Sequence, residues 1–365
     1  MLAFLRMLLG CFLAALFIVA AGAGVFLWGY HDITSPGPLQ SAENIVIPPH
    51  TGIAGITEVL WQKGVIRHPL TFKVAAEIVG RGGALRAGEY EFPAGASAAE
   101  IIEIIATGKT VKHRLTIPEG LTSAEIVALV KQTPLLTGDP GPTPPEGSLL
   151  PETYIYSRDD TRESIIARME DAEQEAITAA WAARRNDLPL ASPQEAVILA
   201  SLIEKEASRN EERAHIAAVF LNRLRQGMKL QSDPTVRFVL GGNGTSKFDG
   251  PLTRAELEIN SPYNTYVTKG LPPGPICNPG KAALRDAVRP EQSEDLYFVA
   301  DGAGGHVFAK TLADHNRNVT TYLHGAAASE AEQTPANPPV APAATQTSQA
   351  QPHCRASPGH PCLMH

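Results

Sequence analysis

The chain has 365 residues, with 31 basic and 38 acidic side chains and a formal net charge of -7. That balance excludes a nucleic-acid partner, which needs clustered lysine and arginine to meet phosphate. With 44% hydrophobic and 19% charged residues there is apolar material for folded cores, which excludes wholesale disorder, and the 31 Gly and 30 Pro lack the three-residue period of collagen.

Residues 7–30 run from Met7 to Tyr30 without a charge. At about 1.5 Å per helical residue they span roughly 36 Å, enough to cross a bilayer. Arg6 precedes the run and the next lysine or arginine is Lys63, so the positive-inside bias puts residues 1–6 in the cytoplasm and the remainder outside the inner membrane. Ala21-Gly22-Ala23 resembles a signal-peptide cleavage site. The apolar run continues past it through Val25-Phe26-Leu27-Trp28, and Trp28 and Tyr30 suit an interfacial belt, so an uncleaved anchor is expected. Leu8-Leu9-Gly10-Cys11 is not a lipoprotein box, because its apolar stretch follows the cysteine.

Three segments then share one pattern: Ile45-Val46-Ile47-Pro48 leading to Ile56, Tyr90-Glu91-Phe92-Pro93 leading to Ile101, and Leu115-Thr116-Ile117-Pro118 leading to Ile126. Each predicts a short strand, a proline-bounded turn and an amphipathic helix. Ser97-x-x-Glu100 and Thr122-x-x-Glu125 are capping boxes that start the second and third helices. Between the first two copies, Thr57–Gln62 and Leu70–Val79 read as helices, stopped by Gly64 and Gly80. Residues 41–112 therefore read as a small α+β domain that resembles a LysM-like module, a kind that grips glycan chains; a spacer without a ligand is the alternative.

Thr137–Ser148, rich in Pro and Gly, is a long loop, after which the pattern turns helical: Ser164–Arg185, Pro193–Ala207 and Glu211–Gln226, with Gly227 as the last stop. Tyr297-Phe298-Val299-Ala300 followed by Gly302-Ala303-Gly304-Gly305 is a strand and hairpin turn, not a phosphate loop, since no Lys-Ser/Thr follows. Residues 325–365 hold seven Pro and only Glu330, Glu332 and Arg355 as charges, and read as a disordered tail. Its Cys354 and Cys362 fit no zinc spacing and suit a local disulfide or no structure. His306 and His315 lack metal-site spacing as well, and no cofactor requirement is visible.

The helix opening at Ser192 carries the sharpest local reading. Ser192 is a suitable N-cap, Pro193 occupies the first turn, and Glu195 completes a capping box. At about 100° per residue, Glu206 falls within the apolar stripe of Leu199, Leu202 and Ile203, while Glu204 falls on the opposite face. A carboxyl on an apolar stripe is pushed toward its neutral form, which is what protonation of a glycosidic oxygen requires. The alternative is a frayed helix end with both glutamates solvated.

Leu199-Ala200-Ser201-Leu202-Ile203-Glu204-Lys205-Glu206-Ala207 resembles the signature of the endolytic murein transglycosylases, the YceG-like or MltG family. The likeness continues through Val219-Phe220-Leu221-Asn222-Arg223-Leu224, Leu230-Gln231-Ser232-Asp233-Pro234-Thr235, Ser261-Pro262-Tyr263-Asn264-Thr265-Tyr266, Gly270-Leu271-Pro272-Pro273-Gly274-Pro275 and Leu296–Gly302. Pro118-Glu119-Gly120 and Leu150-Pro151-Glu152-Thr153-Tyr154 extend it upstream. The resemblance implies a single-pass inner-membrane protein with a LysM-like domain and a mainly α, lysozyme-like catalytic domain over 113–324, carrying short β hairpins, in the periplasm. It implies that Glu206 is the essential acid, cutting between N-acetylmuramic acid and N-acetylglucosamine of nascent peptidoglycan and leaving 1,6-anhydro ends. It also points to peptidoglycan synthases as partners.

Asp233 is the nearest second carboxylate for a water-using muramidase, although an Asp before Pro is commonly turn chemistry. Gln231, Tyr263, Asn264 and Thr265 offer hydrogen bonds and an aromatic face to a sugar, or cap loops. Glu152 divides in the same way between glycan contact and helix partner. A glycan-binding scaffold without catalysis is the third reading.

Overall fold

The computed structural model describes residues 2–321, apart from 80, 82, 84 and 159. The expected tail with its two cysteines, and the Gly80 stop, lie outside the described residues. The fold is mixed α and β, and it begins with a long apolar helix, α1 (Leu2–Thr34). The stretch Phe4–Thr34 has a mean hydropathy of 2.4 and is long enough to cross a membrane. Its side chains are bare of protein, Phe17 being 75% exposed. Only the last turns dock: the Asp32 carboxylate accepts from the Thr71 hydroxyl at 2.5 Å and lies 2.7 Å from His68 Nδ1, and the Trp28 ring lies 5.4 Å from His68.

The first folded unit pairs β1 (Glu43–Ile47) with β2 (Gly88–Phe92) antiparallel, Ile45 opposite Tyr90. α2 (Ile53–Gln62), α3 (Pro69–Ile78) and α4 (Ala98–Thr107) cover this ribbon. Together they bury Ile47, Leu60, Phe72, Tyr90, Phe92 and Ile105 completely. A two-stranded ribbon is marginal alone in water, so the helices supply most of the buried area. Gly64, with φ 67°, takes the left-handed turn that ends α2.

β3 (His113–Thr116) keeps the local repeat, and α5 (Ser123–Gln132) follows it behind a formed Thr122/Glu125 capping box. The strand, however, pairs with β4 (Thr153–Tyr156) and not with the first ribbon. With α6 (Arg162–Ala182) these elements enclose a second core around Ile126, Leu149, Ile165 and Met169.

The third and largest core surrounds α7 (Pro193–Glu206), packed by α8 (Arg213–Arg225), α9 (Asp233–Leu240) and α11 (Lys281–Val288); a short α10 (Arg254–Leu257) lies beside α9. β5 (Tyr297–Ala300) and β6 (His306–Ala309) form the hairpin expected from the Gly302–Gly305 segment. Asp301 closes its turn by accepting from the Ala303 and Gly305 N–H groups.

Two readings of α7 need correction. Ser192 accepts from the Glu195 N–H, but the Glu195 carboxylate reaches back to the Ala191 N–H at 2.7 Å, so the reciprocal box is not formed. More consequentially, every residue from Ala196 to Ile203 is buried. Over those residues α7 is a central helix enclosed all round, and only its ends, at Pro193, Gln194 and Lys205, are exposed.

Candidate functional site

Glu206 is the last residue of α7. Ala207 leaves the helix in an extended conformation, ψ 110°, while its N–H still bonds to Ile203 O at 2.9 Å, so the helix end is held rather than frayed. The chain after α8 builds the opposing wall. Gly227, with φ 65°, turns the backbone, and the buried Arg223 guanidinium donates to the carbonyls of Lys229, Leu230 and Leu296. Gln231 then adopts φ 53°, a left-handed conformation rarely taken by a residue with a side chain. Its N–H bonds to Thr265 O at 3.2 Å.

That reversal aims Ser232 at the acid: its hydroxyl donates to Glu206 Oε1 at 2.6 Å. Ser232 is itself fixed, its N–H bonded to Thr265 Oγ1 at 2.9 Å and its carbonyl to the Thr235 hydroxyl at 2.6 Å. Glu206 Oε2 makes no hydrogen bond among the described residues. Burial pushes the Glu206 carboxyl up from an ordinary 4.5 to about 7. The Ser232 hydroxyl opposes the shift, the nearby Asp233 charge adds to it, and His306 and Arg223 oppose it. A carboxylate at a helix C-terminus is disfavoured in the same direction as burial.

Asp233 opens α9, so Asp-Pro here begins a helix with proline in the first turn. Its Oδ1 accepts from the Tyr266 hydroxyl at 2.6 Å, and burial keeps that phenol protonated. On the far side, His306 at the start of β6 is held by Glu212, with Nδ1 2.7 Å from Oε2 and its N–H 3.0 Å from Oε1. The result is a half-buried acid near neutral pKa, one oxygen clamped and the other without a hydrogen bond, with a second carboxylate and an imidazole nearby.

Of the residues singled out in the sequence, Glu206 and Asp233 come together, and Gln231 belongs to the opposing wall, its Oε1 accepting from Arg223 at 3.4 Å. Asn264 and Thr265 are fully buried with their side chains committed: Asn264 donates to Leu257 O and Ile259 O and accepts from the Tyr266 N–H, and Thr265 bonds to Ser232 and Thr235. They are loop anchors behind the site and cannot touch a sugar. Tyr263 packs on Phe238, ring centroids 5.0 Å apart. Glu152 is ion-paired with Lys281 at 2.7 Å, both exposed, and makes no contact with the Glu206 cluster.

Glu204 also differs from expectation. Its side chain is only 5% exposed, accepting from Arg213 at 2.9 Å and from the Gly280 N–H at 3.0 Å. Arg213 also reaches Glu119 at 3.2 Å. The helical phase puts the two glutamates on different faces, and the face opposite the apolar stripe is filled by this ion-pair network. Sequence reasoning missed Ser232, Tyr266, Arg213 and the Glu212–His306 pair. Ser232 and Tyr266 lie inside the Leu230–Thr235 and Ser261–Tyr266 blocks, and a charged Arg223 amid Val219, Phe220 and Leu221 is the visible sign of a buried cation.

The YceG-like family matches this chain over residues 45–321. An endolytic murein transglycosylase of Bacillus subtilis is 32% identical over 335 residues, covering 82% of this chain and 90% of that protein. One from Streptococcus pneumoniae is 29% identical over 360 residues, covering 86% of this chain and 64% of that longer protein. A solved structure of a yceG-like protein from Listeria monocytogenes, 31% identical, covers 76% of this chain and 98% of its own, with a TM-score of 0.46. With a match running from the first strand through the final hairpin and onward to residue 321, the chain belongs to the YceG-like family.

Proposed function

We propose that this protein is a membrane-anchored lytic transglycosylase that cuts peptidoglycan strands endolytically between N-acetylmuramic acid and N-acetylglucosamine. Residues 7–30 anchor it in the inner membrane with the N-terminus cytoplasmic. Residues 41–112 serve as a LysM-like glycan-holding domain, and residues 113–324 form the periplasmic, lysozyme-like catalytic domain. Cutting nascent strands close to the membrane ends their elongation beside the synthases that make them.

The observation that carries this reading is Glu206, whose carboxyl stands at about 7 with Oε1 held by Ser232 and Oε2 without a hydrogen bond among the described residues. Near neutral pH such a group is available both as acid and as base. As acid, Glu206 gives its proton to the glycosidic oxygen as the bond from C1 of the muramic acid breaks. As base, the same carboxylate takes the proton from the C6 hydroxyl while O6 bonds to C1. The proton returns to Glu206, no water is consumed, and the products are a free sugar hydroxyl and a 1,6-anhydro end. A second carboxylate is not required for this sequence. Asp233, with one oxygen taken by Tyr266, is suited to raising the Glu206 pKa and positioning the strand.

Glu206→Gln tests the assignment. The expected result is a loss of strand cleavage of about 10²–10⁴-fold with the fold retained, as for removal of a general acid. Full cleavage by a folded Glu206→Gln protein would rule the assignment out.

A further inference from the structure

A cleft of about 350 Å³ opens beside the Glu206 site, within the range of small-ligand pockets. Lys205 and Pro234 stand in its wall. They are the immediate neighbours of Glu206 and Asp233, so the last turn of α7 and the first turn of α9 border both the cleft and the carboxyl pair.

Of the charged side chains lining the cleft, Glu119 pairs with Arg213 at 3.2 Å and Asp249 with Lys247 at 2.9 Å. Glu125 is held by the Thr122 N–H at 2.8 Å without a cation, which leaves one acid against two cations outside any ion pair. Lys205 Nζ reaches only the Gly120 carbonyl at 3.3 Å, and Arg237 Nη1 donates to the Gly250 carbonyl at 2.6 Å. Among the described residues neither Lys205 nor Arg237 has an acidic partner within ion-pair distance. Leu121, Phe238 and Phe248 give the same cleft apolar lining. A lysine and an arginine without acidic partners in a partly apolar cleft match a ligand carrying carboxylates on short aliphatic chains. A neutral sugar has no use for either charge.

We propose that this cleft holds the carboxylate-bearing peptide that hangs from the lactyl group of the muramic acid being cut, with Lys205 and Arg237 receiving its carboxylates. The proposal rests on the glycan-cleaving reading of Glu206 and extends it to substrate selection: the enzyme prefers strands that still carry their peptides.

The test compares strand cleavage by the full-length protein in detergent on peptide-bearing glycan and on the same glycan stripped of peptides by an amidase. The wild type should show the higher kcat/KM on peptide-bearing strands. Lys205→Gln and Arg237→Gln should each reduce the ratio of the two values by about tenfold, the size of one charge-assisted contact. Lys205→Arg and Arg237→Lys, which keep the charge, should largely preserve it. An unchanged ratio in both Gln variants, or equal losses on the two substrates, overturns the proposal. A binding titration separates this from failure of the catalytic reading. A soluble N-acetylmuramoyl peptide should bind Glu206→Gln protein about tenfold more tightly than it binds the Glu206→Gln/Arg237→Gln double variant. N-acetylglucosamine oligomers should not distinguish the two, and equal peptide affinity refutes the cleft assignment whether or not any strand is cut.

Discussion

Among the described residues Ser232 supplies the single hydrogen bond made by the Glu206 carboxyl, and it does so as a donor, which favours the ionised form. Replacing it with alanine therefore raises the Glu206 pKa above about 7. In a pH profile of kcat/KM, Ser232→Ala should move the alkaline limb, where the free enzyme loses its acid, to higher pH and lower the activity at neutral pH through a less well-held carboxyl. A profile identical to the wild type would leave Ser232 a packing residue. This contact was not legible in the sequence, although Ser232 sits in plain view two residues after Leu230. It depends on the left-handed backbone at Gln231, which is imposed by Thr265 and Arg223 from elsewhere in the chain. Glu206 was legible from its motif and its phase. Glu204 was misread because helical phase reports which residues share a face and says nothing about what covers the other one.

At the scale of elements, α7 is the axis of the third core, and the Glu204–Arg213 pair bonds α7 to α8 with side chains 5% and 9% exposed. Breaking such a pair from one side leaves a charge buried without its partner. Arg213→Ala should cost about 3–5 kcal/mol in chemical denaturation, and a cost below about 1 kcal/mol would place the pair among ordinary surface ion pairs. The repeated strand-turn-helix units were readable because their signals are local: proline, a cap, and apolar spacing. Both expected boxes, Ser97/Glu100 and Thr122/Glu125, form as read. Strand pairing is not local. β3 shares the local strand-turn-helix pattern of its two predecessors but pairs with β4, some 37 residues onward, because α5 and α6 close a separate core over it. α11 went unread for a similar reason, being a short helix whose role is to cover α7.

At the scale of the molecule, four glutamates among the described residues share one electrostatic condition. Burial raises Glu146 and Glu206 from 4.5 to about 7, Glu173 to about 8 and Glu204 upward, and both Glu173 oxygens lack any hydrogen-bond partner. A raised carboxyl pKa means that the native state keeps protons the unfolded chain has released. The stability these groups contribute is therefore complete below about pH 4.5 and is lost as pH rises through 7 to 8. Glu173→Gln should flatten that fall by on the order of 2–4 kcal/mol between pH 5 and 8, read as the pH dependence of the unfolding free energy. An unchanged slope would show that Glu173 is solvated in the native state. The same chemistry, placed at the end of α7 beside Ser232 rather than inside α6, is what suits Glu206 to the proposed acid and base role. The claim that Glu206 acts alone, as acid and then base without water, is tested most directly by the ends it leaves. Purified peptidoglycan digested by the full-length protein should yield strands ending in 1,6-anhydro-N-acetylmuramic acid, each lighter by one water than a reducing end in mass spectrometry. Strands ending in reducing N-acetylmuramic acid would contradict it, and would assign the reaction to a hydrolase.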